Sequence, residues 1–495
     1  MQPSIYIGEI NMPKQPFDLT TLARQAMLEY NLAADFSQEV MNELSQITSP
    51  APSMPAFRDL RDKLWASIDN DDSLDLDQLT YAEKASENKA KVYVAVADVD
   101  ALVKRGSAID QHAACNTTSV YTPSIVFPML PEKLSTNLTS LNQGQERRAI
   151  VVELLINEKG ATDNFDIYPA VVRNQAKLTY NGVAAWLDGT GPALAAFSPL
   201  PELAEQLRLQ DALAKKIKQY RYSQGSLSFK TIEMQPIIRD GQVVNLEEVV
   251  HNRAHKLIEF FMISANTAVT QFIRKRNLPT LRRVVRSPKN WGRIVEIAES
   301  FGEKLSSNPD SKALEAFLVK RRRESPQTFP DLSQVLIKLL GRGEYVVGLP
   351  GEVPIGHFDL ALQDYAHTTA PNRRYPDLIM QRILKHLLLA QPAPYSIPEL
   401  TDIARHCTEK ETDAAKVERK LKKSAAAILL SSQIGREYDA IVTGAGEKGV
   451  WVRILQLPVE GKLVKGFAKL KVGDRLPVKL IHVDIPNGYI DFERK

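Results

Sequence analysis

Cysteine is nearly missing from this chain. Cys115 and Cys407 are the only two in 495 residues, far apart and without the spacing of a metal-ligand pair. A disulfide framework and a cysteine-built metal site are therefore not expected, and a reducing cytoplasm is the expected compartment. Long hydrophobic runs are missing too. No stretch approaches the roughly 20 apolar residues of a membrane span, and Met1-Gln2-Pro3-Ser4 begins no signal peptide. Neither sign of charge is in large excess. The formal net charge of +4 decides nothing about nucleic acid by itself. What remains is an ordinary globular composition, 44% hydrophobic and 25% charged, with length for roughly two to four domains.

The most informative stretch is Asp69-Asn70-Asp71-Asp72-Ser73-Leu74-Asp75-Leu76-Asp77. Five of these nine residues are aspartates, with no Lys or Arg among them. Most charge runs are solvated turns. Here Ser67-Ile68 leads in as the end of a short strand, and Leu74 and Leu76 alternate with Asp75 and Asp77. That alternation puts the last two carboxylates on one face of an extended segment. Val92–Ala97 then reads as a buried strand. Carboxylates crowded on a core sheet repel one another. A hard divalent cation such as Mg²⁺ or Mn²⁺, which prefers oxygen ligands, relieves the repulsion.

Positive charge is distributed unevenly. Arg274 to Arg293 holds eight basic residues and no acid. Lys320-Arg321-Arg322-Arg323 forms a second block. Lys416, Arg419, Lys420, Lys422 and Lys423 form a third, interrupted by Glu418. Three such blocks beside one acidic cluster suggest a polyanion guided toward a metal.

Along the chain, Asp18 to Ile47 reads as two short amphipathic helices, a helical hairpin or a winged-helix fragment, followed by the linker Thr48–Ser53. Phe57 to about Trp186 is mixed helix and strand, with strands at Val92–Ala97 and Ala149–Ile156. Long helices are expected from Asn252 to Arg276, from Asp377 to Leu389 just after Pro376, and, as one or two basic helices, from Pro398 to Ser432. The last sixty or so residues change character. Ala440–Val442, Gly449–Ile454, Leu476–Ile481 and Gly488–Phe492 are short strands separated by glycines, the pattern of a small OB-type barrel. Trp451 sits in mid-strand, either as a core residue or on a surface where bases stack.

Four stretches, in this order, resemble the ribonuclease II / ribonuclease R (RNB) family of 3′-to-5′ exoribonucleases. They are Ile68-Asp69 with Asp75-Leu76-Asp77; Thr118–Tyr121 with Pro128–Ser135; Tyr365-Ala366-His367-Thr368-Thr369-Ala370-Pro371-Asn372-Arg373-Arg374-Tyr375-Pro376-Asp377-Leu378; and Gly435 to Trp451. The resemblance covers Phe57 to Lys495. It implies an α+β fold: a small N-terminal helical segment (1–54), an RNB catalytic domain (55–432) and a C-terminal all-β OB barrel of the S-one type (433–495). It also implies roles. Asp69, Asp75 and Asp77 fall on the family's metal-binding and catalytic aspartates, and Arg373 on the arginine that meets the scissile phosphate. Tyr121 falls on an aromatic near the 3′ end, and Phe229 on the aromatic that clamps the terminal bases. Tyr180 and Glu259 match positions that help select ribose, and Glu418 matches a further channel carboxylate. Purely structural roles stay open for Tyr180, Phe229 and Glu259.

Two departures stand out. The family usually carries an acid directly after the position of Asp77, and here it is Gln78, a neutral oxygen ligand. The larger members also place cold-shock barrels ahead of the catalytic domain, where this chain has only the helical segment. The expected activity is Mg²⁺-dependent hydrolysis of single-stranded RNA to 5′-nucleoside monophosphates, with Mn²⁺ as an alternative ion. The rival reading is an RNA-binding regulator on an inactive RNB scaffold, which Gln78 alone favours. A DNA exonuclease is a further rival, opposed by Tyr180 and Glu259.

Overall fold

The computed structural model describes residues 18–446, 449–457 and 459–495; Met1–Ser4, read above for a leader, lie outside them. The two N-terminal helices form as expected. α1 (Leu19–Glu29) starts where the Asp18 side chain accepts from the N–H groups of Thr20 and Thr21, and α2 (Gln38–Gln46) starts at Ser37, which accepts from Val40. They are not an independent unit. α1 buries Leu19, Ala23, Ala26 and Met27 against a C-terminal helix and against Val120 and Phe127. α2 packs on α3 (Ala108–Asn116), where Glu43 accepts from the Ile109 N–H.

The core is a seven-stranded sheet. In chain order its strands are β1 (Arg58–Asp59), β2 (Ala66–Asp69), β3 (Gln78–Ser86) and β4 (Lys89–Ala97), then, after the small ribbon β5 (Val120–Tyr121) and β6 (Val126–Phe127), β7 (Glu146–Ile156), β8 (Thr162–Arg173) and β9 (Ala176–Thr179). The spatial order is β1-β8-β7-β4-β3-β2-β9. β4 lies in the middle, covered on both faces, which is why Val92–Ala97 is uninterruptedly apolar. β2 runs parallel to β9, with Asp69 opposite Thr179.

Helices α4 (Tyr180–Leu187), α5 (Glu202–Ser223) and α6 (Arg253–Arg274) follow the sheet. Asn252 is the N-cap of α6 rather than its first residue. α6 buries Leu257, Phe260, Phe261 and Ala265 in the sheet's core, the face its helical spacing indicates. The hairpin β10 (Met234–Arg239) and β11 (Gln242–Glu248), between α5 and α6, is not foreseen from the sequence. A second lobe is built from α7 (Trp291–Ser300), α8 (Ser311–Glu324) and α9 (Phe329–Leu340), which share a separate apolar cluster around Trp291, Phe317 and Phe329. β12 (Thr280–Val284) and β13 (Glu344–Gly348) pair beside it. α10 (Tyr375–Leu388) returns to the sheet, with Pro376 in its first turn.

α11 (Ile397–Ser431) is a single helix of 35 residues, capped by a reciprocal Ser396/Glu399 box. It enters three cores: Leu400, Ala404 and Cys407 join the sheet's, Val417 and Leu421 the one under α1, and Ala427 and Leu430 that of the C-terminal barrel. The barrel closes in the order β14-β15-β16-β18-β17. Its strands are β14 (Glu437–Gly446), β15 (Gly449–Ile454), β16 (Glu460–Lys465), β17 (Arg475–Asp484) and β18 (Tyr489–Arg494); β16 is not foreseen from the sequence. Among the described residues no helix is long and apolar enough to cross a membrane.

Many residues of the basic blocks also make ion pairs within the protein, several of them at its surface. Arg274 and buried Arg282 both pair with Asp364, Arg283 with Glu411 and Arg286 with Glu344. In the second block Lys320 pairs with Glu303, and Arg322 donates to the Ser228 carbonyl. In the third, Lys416, Lys420 and Lys422 pair with Asp413, Glu29 and Glu233. Several of these pairs join separate elements, while the Arg274, Arg286, Lys320 and Lys422 side chains stay substantially exposed to solvent.

Candidate active site

The acidic stretch leaves β2 at Asp69 and enters β3 just before Gln78. Between them the chain is a loop pinned from beneath. The Ser140 hydroxyl accepts from the Leu76 N–H and donates to the Leu74 carbonyl, while the Leu141 N–H donates to the Leu76 carbonyl. Leu76 is fully buried and Leu74 is exposed. That anchoring turns the loop so that Asp77 points into the protein.

The signature stretch 365–375 crosses the same end of the sheet. Asn266 on α6 holds it: its carboxamide oxygen accepts from the N–H and hydroxyl of Thr368, and its NH₂ donates to the Tyr365 hydroxyl. Asp377 accepts from the Ala370 N–H and from Arg374 at 2.7 Å. The Ser119 N–H donates to the Arg373 carbonyl, tying this stretch to the one that carries Tyr121. Residues from four distant parts of the chain thus meet. The Asn372 N–H donates to Asp77 Oδ1 at 2.8 Å. Arg373 Nε lies 3.2 Å from Asp77 Oδ2. The Tyr121 hydroxyl donates to Asp75 Oδ2 at 3.1 Å, and the Tyr121 N–H donates to Glu418 on α11 at 2.9 Å.

Electrostatics at this point are strained. Burial pushes the Asp77 carboxyl up to about 7; Arg373 opposes the shift and Asp75 reinforces it. Burial also raises Asp75, against Arg373, with Asp69 adding to the rise. Burial acts to lower the Arg373 pKa, but Asp77, Tyr121 and Asp75 together hold it above its ordinary value. The Arg373 side chain is still 40% exposed, so part of its guanidinium is free for a ligand.

The residues fit a divalent cation in one specific respect. Asp77 Oδ2 is buried and accepts no hydrogen bond; its partner is the Arg373 guanidinium at 3.2 Å, and a hard cation would give this oxygen a direct ligand bond. The donor set is partial: among the described residues no three His, Cys, Asp or Glu side chains converge closely enough to hold a metal ion. Gln78 opens β3 opposite Val96 and is half-buried. Its side chain makes no hydrogen bond among the described residues.

The remaining sequence-derived residues are spread around this point. Tyr180 starts α4, one residue beyond Thr179, the strand partner of Asp69. Burial raises its hydroxyl pKa, Asp69 adding to the shift and Arg373 opposing it. Glu259 is exposed on α6 and pairs with Lys256 at 2.6 Å. Phe229 belongs to the second lobe, half-buried against the α7–α9 cluster. Its loop is held by Ser228, whose N–H donates to Glu315. Among the described residues no hydrogen bond or ion pair links its loop to Asp75, Asp77 or Arg373. Trp451 is not a core residue. β15 alternates buried Val450, Val452 and Ile454 with half-buried Trp451 and Arg453. Trp451 therefore lies on the outer face of the barrel, the face from which Arg453 reaches Asp331 on α9 at 2.7 Å.

Sequence reasoning missed two participants. Asn372 stands inside the recognised signature, but nothing in the sequence gives it a role. His255, which stacks on Tyr180, is signalled only by its place three residues after the cap Asn252 and four before Glu259.

An RNB domain matches residues 57–390, and an RNase II-type exonuclease C-terminal S1 domain matches residues 436–495. The chain belongs to the RNB family of exoribonucleases. Ribonuclease R of Aquifex aeolicus is 30% identical over 499 residues, 94% of this chain and 69% of that protein. Ribonuclease R of Vibrio parahaemolyticus is 29% identical over 523 residues, 98% of this chain and 61% of that protein. The chain thus spans about two thirds of these relatives. The structure of Mycoplasma genitalium RNase R in complex with ribose methylated single-stranded RNA matches with a TM-score of 0.87 and 24% identity. The match covers 97% of this chain and 78% of that one, and it bears out the expected fold. RNB enzymes are metal-dependent nucleases, in keeping with the buried Asp77 oxygen that accepts no hydrogen bond.

Proposed function

We propose that this RNB protein shortens single-stranded RNA from its 3′ end, releasing 5′-nucleoside monophosphates in the cytoplasm. The observation that carries the reading is the meeting of Asp77, Asp75, Arg373 and Tyr121, with one buried Asp77 oxygen that is ion-paired to Arg373 and accepts no hydrogen bond. Asp69, Asp75, Asp77 and the neutral Gln78 are the residues that would hold Mg²⁺, or Mn²⁺ in its place. When bound, the cation supplies an activated water and neutralises charge on the phosphate. Arg373 presents a planar fork to two phosphate oxygens, a geometry lysine cannot match. In the reaction a water oxygen bonds to phosphorus and the bond from phosphorus to the 3′ oxygen breaks. The shortened strand leaves with a 3′ hydroxyl and the nucleotide with a 5′ phosphate.

Tyr121 and Phe229 hold terminal bases by their faces, a contact that tolerates any sequence. Tyr180 and Glu259 read the 2′-hydroxyl, the group that separates RNA from DNA. Trp451 stacks on the strand before it enters the catalytic part. We divide the chain into a helical segment (1–54), a catalytic domain (55–432) and the barrel (433–495), the second boundary falling at the end of α11.

The test uses end-labelled RNA and matching DNA oligomers, each with Mg²⁺ or with EDTA, resolved on a gel. Mononucleotides from RNA in Mg²⁺ alone are expected. RNA that is bound but never shortened, in Mg²⁺ or Mn²⁺, overturns the reading in favour of an inactive scaffold.

A further inference from the structure

Tyr180 does not stand alone beside Asp69. The His255 ring lies face to face with it, centroids 3.9 Å apart and planes inclined by 17°. His255 is itself fixed at the start of α6, its Nδ1 2.9 Å from the Asn252 side-chain oxygen. Asn252 is the α6 cap, accepting from the N–H groups of Ala254 and His255. Its NH₂ reaches across to the Tyr180 carbonyl and the Asn181 side chain, both at 3.2 Å. Asn181 in turn donates to Asp71 in the acidic loop at 3.1 Å. One turn further along α6 stands Glu259, on the same side of the helix as His255.

We infer that His255 is the positioning residue for sugar recognition: its ring backs Tyr180 so that the tyrosine and Glu259 confront the 2′-hydroxyl of the terminal nucleotides together. The inference rests on the reading of Tyr180 given above. The physical reason is that a tyrosine ring free to turn about χ1 loses the orientation that a ribose contact needs. A face-to-face aromatic neighbour removes that freedom without covering the opposite face. The chain Asp71–Asn181–Asn252–His255 holds this backing ring in register with the acidic loop, so the sugar reader and the carboxylates keep one spacing.

The ring's two tasks, stacking and capping, separate by substitution. His255→Gln keeps a polar group at the third helical position, where Gln suits a capping box, and removes the aromatic face. His255→Phe keeps the face and removes the polar group. The readout is the ratio of kcat/KM for a single-stranded RNA oligomer to that for the same oligomer with a 2′-deoxynucleotide at its 3′ end, in Mg²⁺, with thermal unfolding measured alongside. His255→Gln is expected to lower the ratio about tenfold, near the upper worth of one aromatic pair, with Tm close to that of the wild type. His255→Phe is expected to restore the ratio with a lower Tm. Tyr180→Ala is the control for the underlying reading. If it leaves the ratio unchanged, Tyr180 does not read the sugar and the basis of the inference falls. If Tyr180→Ala lowers the ratio and His255→Gln slows both substrates equally or neither, the positioning role is overturned while the Tyr180 reading stands.

Discussion

Asn372 and Asp77 lie 295 positions apart in the chain, and the N–H of the first donates to Oδ1 of the second at 2.8 Å. This bond occupies one carboxylate oxygen with a neutral donor and turns the other toward Arg373 and the loop of aspartates. It is the means by which the signature stretch fixes the orientation of the acid.

Asp77→Asn tests that acid. The amide oxygen still accepts from Asn372, so the fold is retained, and RNA binding persists through Arg373 and the barrel. Hydrolysis is expected to fall by orders of magnitude in a single-turnover assay. Near-normal turnover would sink the assignment of Asp77. The same variant carries a pH signature. The Asp77 pKa of about 7 lies above the roughly 3.9 of a free aspartate. Between those values the native state keeps a proton that the unfolded chain has released, so this group makes stability fall as pH rises from about 4 to 7. In metal-free buffer, Tm of the wild type minus that of Asp77→Asn should decline across this window. A flat difference would show that Asp77 is not buried as an acid.

Arg373→Lys keeps the charge and loses the fork. If Arg373 holds the phosphate in line, kcat should fall by about two to three orders of magnitude, what loss of one aimed donor costs, with a smaller change in KM. A change confined to KM would reduce the residue to strand binding.

Internal pairing of the basic blocks separates two kinds of arginine. Arg323 and Arg419 are exposed and make no ion pair among the described residues. Arg283 is mostly buried, paired with Glu411 and set over the Tyr345 ring. Arg323→Ala and Arg419→Ala should each reduce the slope of log affinity against log salt by about one, the worth of a single neutralised phosphate. Arg283→Ala should instead lower Tm and leave the slope alone. Filter-binding titrations at several salt concentrations distinguish the two; equal effects on the slope would mean that the ion pairs open to RNA.

Gln78→Asp restores charge next to Asp77. Hard cations are held largely by ligand charge and oxygen count, and the donor set here is partial. The Mg²⁺ activation curve should move to lower concentration in the variant. The wild type should remain active, with the scissile phosphate supplying oxygens that the protein lacks. A wild type inactive in Mg²⁺ and Mn²⁺, with activity created by Gln78→Asp, would make this chain a silenced scaffold.

The amino-acid sequence by itself determined the local elements, because helix and strand periodicity, caps and turns act within a few residues. The 3.6-residue apolar spacing of α6, the short strand β15 and Pro376 in the first turn of α10 are all legible in that way. So are the acidic cluster and the signature around Arg373, since both are contiguous. Only the tertiary structure decided what those elements do to one another. Asn266 on α6 and Asp377 on α10 hold the stretch from which Asn372 reaches Asp77, and α11 carries Glu418 to Tyr121. Packing decided which residues of the basic blocks answer an acid elsewhere in the chain, because an ion pair depends on distance in space and a charge run reports only distance along the chain. The outward turn of Trp451 and the stack of His255 on Tyr180 were decided the same way. Each depends on which face of an element meets its neighbour, and that follows from packing across long sequence separations.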